Sequence, residues 1–123
     1  QAIALRDQNS GNKNRSILKT AVDFIDSHYM EEDMSLNKAA NAANVSANHF
    51  SALFSQNMGQ TFIEYLTNLR MNKAKEYLRC TSMRSSEIAG EIGYKDAHYF
   101  SYLFKKTQGM TPSDYRKARE DKA

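Results

Sequence analysis

The chain holds a single cysteine, Cys80, in 123 residues, which excludes an internal disulfide and any zinc site built on paired cysteines, and fits a reducing compartment such as the cytoplasm. Its three histidines, His28, His49 and His98, are scattered. No carboxylate or cysteine falls at metal-ligand spacing with them, so no catalytic centre, metal or other cofactor is expected. Apolar runs are short, and none approaches the roughly 20 residues that a membrane-spanning helix requires. No charged-then-apolar leader is visible either. Proline occurs once, at Pro112, so long helical patterns run without interruption. Net charge is also small, +3, which by itself is weak evidence for a polyanionic partner.

What is present is an ordinary globular composition, 41% hydrophobic and 25% charged, enough for one domain or two very small ones sharing a core. The charge distribution is more telling than its sum. Residues 1–45 carry five Lys and Arg against six Asp and Glu, whereas 46–110 carry eight against five. Acidic residues gather at Asp23, Asp26, Glu31, Glu32 and Asp33, an acidic surface away from any polyanion.

The dominant pattern is an internal repeat. Residues 46–66 match 96–116 at eight of 21 positions: Ala47, Phe50, Ser51, Leu53, Phe54, Gly59, Thr61 and Tyr65 return as Ala97, Phe100, Ser101, Leu103, Phe104, Gly109, Thr111 and Tyr115. Each copy reads as a turn followed by a short amphipathic helix, the form of a helix-turn-helix unit. Residues 1–15 show no sustained period and read as a linker tail. The first subdomain is expected over 16–60, with a first helix from Ser16 to about Met30 and a second one capped by Ser35. Ser46 is expected to cap the third, which buries Phe50, Leu53 and Phe54 and exposes Asn48, His49, Ser51, Ala52, Ser55 and Gln56. A connecting helix over 61–80 would measure about 18 residues, or roughly 27 Å. The second subdomain, 81–119, is expected to start at a cap on Ser85 or Ser86 and to turn at Gly93. A helix capped by Asp96 follows, exposing Ala97, His98, Tyr99, Ser101, Tyr102, Lys105 and Lys106. Pro112 opens the last helix, and 120–123 read as a frayed tail.

Ile88, Ala89, Gly93, Tyr94, Tyr99, Phe100, Phe104, Lys105, Lys106, Gly109, Thr111, Pro112, Tyr115 and Arg116 together closely resemble the signature of the AraC/XylS family of bacterial transcription regulators. Ala40, Ser46, Phe50, Leu53, Phe54, Gly59, Tyr65, Leu66, Arg70, Ala74 and Leu78 extend that resemblance upstream. It implies an all-α fold of seven helices, in which two homeodomain-like helix-turn-helix subdomains are joined by the long helix. It also implies base reading by Asn48, Ser51 and Ala52 in the first subdomain and by Ala97, His98, Ser101 and Tyr102 in the second. Members often carry Arg where this chain has Ala52 and Tyr102, so bidentate guanine contacts from those two sites are not available here.

The residue types suggest further roles. Asn48 and Gln56 suit adenine, His98 suits guanine or phosphate, and Tyr102 suits a thymine methyl. Lys105 and Lys106, with Ser55 and the helix starts at Ser35 and Ser85, suit phosphates. Arg70 is expected to be structural, paired with an acidic residue. The expected partner is double-stranded DNA, read in successive major-groove segments, with RNA polymerase as a second partner for activation. Family members usually carry a ligand-binding or receiver domain, so Gln1 is expected to follow a domain outside this sequence. A nonspecific architectural DNA binder or a protein-interaction module is the alternative. An alkyl-accepting Cys80 is a weaker one, because Arg79 alone does not make an activated thiolate.

Overall fold

A computed structural model describes the backbone of residues 2–122 and the side chains of 11–120. Seven helices and no strand are found among the described residues: α1 Ala2–His28, α2 Leu36–Ala42, α3 Ala47–Met58, α4 Phe62–Cys80, α5 Ser85–Glu91, α6 Ala97–Gln108 and α7 Pro112–Lys122. The chain divides into two units. The first comprises 1–28 and 34–65, the second 29–33 and 66–123. Thus α4, expected over 61–80, contributes its first turn to one unit and its remainder to the other.

Residues 2–15, expected as a nonperiodic linker, continue α1 instead. Once the amphipathic stretch from Ile17 has nucleated a helix, each added residue gains a backbone hydrogen bond whether or not it has an apolar face. Polar residues without proline therefore extend α1 rather than ending it, and a search for periodicity misses them. At the other end α1 stops at His28, two residues before the expected limit. The backbone of α7 likewise stays helical to Lys122, into the stretch expected to fray.

In the first unit Ala21, Ile25, Met34, Ala39, Ala40, Phe50, Leu53, Phe54 and Phe62 are buried. Phe50, Phe54 and Phe62 meet at ring-centroid distances of 5.5–6.4 Å. The second unit is built on Met71, Ala74, Leu78, Ile88, Ala89, Ile92, Phe100 and Phe104, with Tyr94, Ala97, Leu103 and Tyr115 packed around them. Buried pairs at equivalent places, Ala39–Ala40 and Ile88–Ala89, anchor α2 and α5 in the cores of their units.

Helix boundaries follow local chemistry. Ser35 and Ser46 accept the amides of Lys38 and His49 at 3.1 and 3.2 Å, satisfying donors that a helix start leaves open. Asp96 does so for His98 and Tyr99. α5 differs from expectation, because Ser85 is its first helical residue and Arg84 precedes it as N-cap. The Arg84 amide donates to the Glu87 carboxylate at 3.1 Å, so the third-position acid reaches back to the N-cap amide in place of the expected serine cap. Thr61 and Glu64 form a reciprocal capping box at the start of α4, and the bond to the Thr61 amide holds the Glu64 carboxyl below its usual range. Gly59 and Gly109 end α3 and α6 at φ of 70° and 85°, a conformation that glycine adopts without steric cost.

Candidate functional site

The two short turns that lead into α3 and α6 are built alike. α2 ends in a left-handed residue, Asn44, at φ 59°, and α5 in Gly93 at φ 105°. The next amides, of Val45 and Tyr94, reach back to the carbonyls of Ala40 and Ala89 at 3.1 and 2.9 Å. Those of Asn44 and Gly93 bond Asn41 and Gly90. This is the Schellman arrangement, which satisfies the carbonyls left open at a helix end. The turn then spans residues 43–46 in the first unit and 92–96 in the second, one residue longer. Equivalent positions therefore lie 49 apart before the turn and 50 apart after it, and before the turn the residues themselves also differ, Ala40 and Ala89 being the identity shared by 36–45 and 85–94.

Beyond the turns, α3 and α6 each split into two stripes. Phe50, Leu53 and Phe54 are buried on α3, and Phe100 and Phe104 on α6. On the opposite side, Asn48, Ser51, Ala52, Ser55 and Gln56 fall three and four residues apart, as do His98, Ser101, Tyr102 and Lys105, so each set shares one helix face. Asn48, Ala52, Gln56, His98, Tyr102, Lys105 and Lys106 are exposed, while Ser51, Ser55 and Ser101 are half-buried at the edges of their stripes. Ala97 also packs on the core of its unit, leaving only part of its methyl surface outward. Ser35 and Ser85 sit at the starts of α2 and α5 and are half-buried, and the Ser35 hydroxyl is already engaged in capping.

Electrostatically the two faces share an absence and differ in charge. Neither α3 nor α6 contains Asp or Glu, and α6 alone adds Lys105 and Lys106 in its last turn, where cations also complement the helix dipole. The Lys106 ammonium lies 5.8 Å from the Tyr102 ring centroid, so this flexible cation and the 60% exposed ring steady one another. Tyr99 is expected to face outward and has no assigned role. It is 51% exposed and its ring meets Tyr94 edge-on at 5.9 Å, which gives α6 a second aromatic surface beside His98.

Arg70 is structural, but not in the expected way. Its Nε and Nη2 donate to the carbonyls of Tyr29 and Glu31 at 2.7 and 2.8 Å, and its guanidinium lies 4.9 Å from the Tyr94 ring centroid. The backbone oxygens of Tyr29 and Glu31 thus accept the hydrogen bonds of this buried planar donor, where a carboxylate was expected. Burial raises the Tyr94 pKa, an effect that Arg70 partly offsets. Cys80 is exposed at the end of α4, and no cluster of three metal-ligating side chains occurs among the described residues.

A family model described as a helix-turn-helix domain matches residues 39–118, more than half of the chain. The chain belongs to the AraC/XylS family. It is 36% identical over 99 residues to the lactose operon transcription activator of Staphylococcus xylosus, covering 80% of this chain and 35% of that one. To the HTH-type transcriptional regulator YtdP of Bacillus subtilis it is 34% identical over 92 residues, 75% of this chain and 12% of that one. The chain thus spans 35% or less of these relatives' length. Among solved structures it superposes on the C-terminal domain of AraT, a response regulator from Geobacillus stearothermophilus, with a TM-score of 0.81 and 40% identity, over 84% of this chain and 85% of that one. AraC/XylS relatives are DNA-binding transcription regulators and not enzymes, so this chain is a DNA-binding transcription-regulator domain of AraC type. No helix among the described residues is long and apolar enough to cross a membrane.

Proposed function

We propose that α3 and α6 are the two DNA-reading elements of this AraC-type domain and that they enter successive major-groove segments of one duplex. One observation carries the reading: two helices on matching buried stripes present exposed stripes free of carboxylates, while the exposed side chains differ between them. A groove about 12 Å wide admits one helix face, and the next segment on the same side of the duplex lies about 34 Å along. Asn48 and Gln56 on α3 read adenine edges, and His98 and Tyr102 on α6 read guanine and a thymine methyl. Ala52, Ser51, Ser101 and Ala97 let the helices approach closely, and Lys105, Lys106, Ser55 and the helix starts at Ser35 and Ser85 contact phosphates. Since Asn48 corresponds to His98 and Ala52 to Tyr102 in the repeat, the preferred site is asymmetric.

The chain acts in this reading as the output part of a longer cytoplasmic regulator, whose sensing or receiver domain controls it and whose bound form activates transcription through RNA polymerase. Selection of bound sites from random duplex DNA, followed by protection footprinting, tests it. An asymmetric consensus protected over two successive groove segments is expected. A palindromic consensus or a footprint confined to one half-turn refutes the two-reader arrangement. Equal affinity for selected and competitor DNA would identify a nonspecific architectural binder instead.

A further inference from the structure

The repeat places a tyrosine at the same point of each unit, and the two are wrapped in charge of opposite sign. Tyr65 packs edge-on against Phe54 at 5.4 Å and Tyr115 against Phe104 at 5.8 Å, so the scaffold uses both rings alike. The Tyr65 hydroxyl, however, donates to the Asp26 carboxylate at 2.7 Å. The Tyr115 hydroxyl instead accepts from Arg79 Nη1 at 3.1 Å. The Lys75 ammonium and the Arg119 guanidinium lie 5.9 and 5.5 Å from the Tyr115 ring centroid. Although burial pushes the Tyr115 pKa up, the hydrogen bonds and charges of Arg79 and Arg119 pull it below its ordinary value, as a locally positive potential does.

Three cations thus converge on one ring. Among the described residues no carboxylate lies within ion-pairing distance of any of them. Glu76, the acid nearest Arg79 on α4, is bonded to Lys73 at 3.4 Å and acts on Arg79 only through space, as the smallest of the influences that favour its charged form. Packing does not require this arrangement, because the first unit holds its tyrosine with a carboxylate. Cations gathered around one ring give the patch a positive potential that an anionic partner complements.

We propose that Lys75, Arg79 and Arg119, arrayed on Tyr115, form a docking surface for an acidic protein segment. DNA is the less suitable occupant for a geometric reason that rests on the proposed reading. Tyr115 packs on Phe104, which belongs to the buried stripe of α6, whereas His98, Ser101, Tyr102 and Lys105 occupy its opposite face. A helix about 10 Å across and the unit's core therefore stand between the patch and a duplex that holds the reading face in its groove. Carboxylates of a flexible segment can bond Arg79 and Arg119 in paired fashion, with the Tyr115 ring as a flat floor for their stems.

The test titrates the whole chain with a fluorescent ten-residue glutamate peptide and, separately, with its selected DNA site at several salt concentrations. Replacing Lys75, Arg79 and Arg119 together by Gln is expected to weaken the peptide about tenfold, from roughly twofold to threefold per exposed ion pair. DNA affinity and its salt slope should stay unchanged. Lys105→Gln with Lys106→Gln should do the reverse. A peptide affinity untouched by the triple change overturns the proposal, and so does a DNA salt slope that falls by one or more in that variant. Arg119→Gln alone, which leaves the Arg79–Tyr115 bond in place, supplies the same comparison at about twofold if the triple variant does not fold. A wild-type chain that selects no DNA site would refute the two-reader function but leave the peptide measurement valid.

Discussion

Gly93→Ala is expected to cost far more than a surface glycine normally would, through a collision with Arg70. A Cβ built on Gly93 would lie 2.7 Å from Arg70 Nη2 and 2.9 Å from its Cζ, on a backbone at φ +105°. The backbone conformation alone penalises alanine by about 1–3 kcal/mol. The methyl group then displaces the guanidinium, which is 6% exposed and holds the carbonyls of Tyr29 and Glu31. Hydrogen bonds to a charged group contribute about 1.5–3 kcal/mol each, and losing part of both brings the expected total to about 3–5 kcal/mol. Arg70→Met removes the same bonds directly and should cost about 3 kcal/mol. In the Arg70→Met background the alanine meets no guanidinium, so only backbone strain remains. The two single changes should therefore sum to about 2 kcal/mol more than the double variant loses. Urea unfolding followed by circular dichroism measures all four corners of this cycle. Additivity to within about 0.5 kcal/mol would refute the collision and leave Gly93 explained by backbone conformation alone.

Phe104→Ala should destabilise the second unit by about 3–5 kcal/mol, because its ring is fully buried against Phe100 and Tyr115; a loss under 1 kcal/mol in the same unfolding assay would contradict that packing. Lys105→Ala should weaken selected and competitor DNA equally and lower the salt slope by about one, whereas a sequence-selective loss would make Lys105 a base reader. In repeated site selection, Asn48→Ala and His98→Ala should each relax preference at a different base position, at about 1–3 kcal/mol; relaxation at one shared position would contradict separate readers. Burial and then the Asp26 hydrogen bond push the Tyr65 pKa up to about 12 from an ordinary 10. The folded state thus retains a proton that the unfolded chain loses, and the contribution is present below pH 10 and fades as pH rises toward 12. The stability advantage of wild type over Tyr65→Phe should shrink across that window, and an advantage that grows with pH would refute the sign.

Much of the fold is legible because its signals are local. The spacing of Phe50, Leu53 and Phe54, and of Phe100, Leu103 and Phe104, defines a buried face within a single helix, so the outward residues follow by subtraction. Caps at Ser35, Ser46 and Asp96, and the glycine stops at 59, 93 and 109, are likewise short-range chemistry. The start of α1 is not legible in the same way, because a polar extension of a helix carries no period.

The residue types and their spacing by themselves determined seven helices, two matching units and two exposed faces of different composition. Only the tertiary structure decided what those units do with their polar groups. Arg70 is held by two carbonyls across 39 and 41 residues, and Arg84 leaves the capping of α5 to its amide and Glu87. Three cations are brought to Tyr115 from α4 and α7, while the matching Tyr65 receives an acid from α1. Apolar burial has a period that a sequence displays, whereas a hydrogen bond or an ion pair depends on where a distant side chain arrives. That position is set by packing.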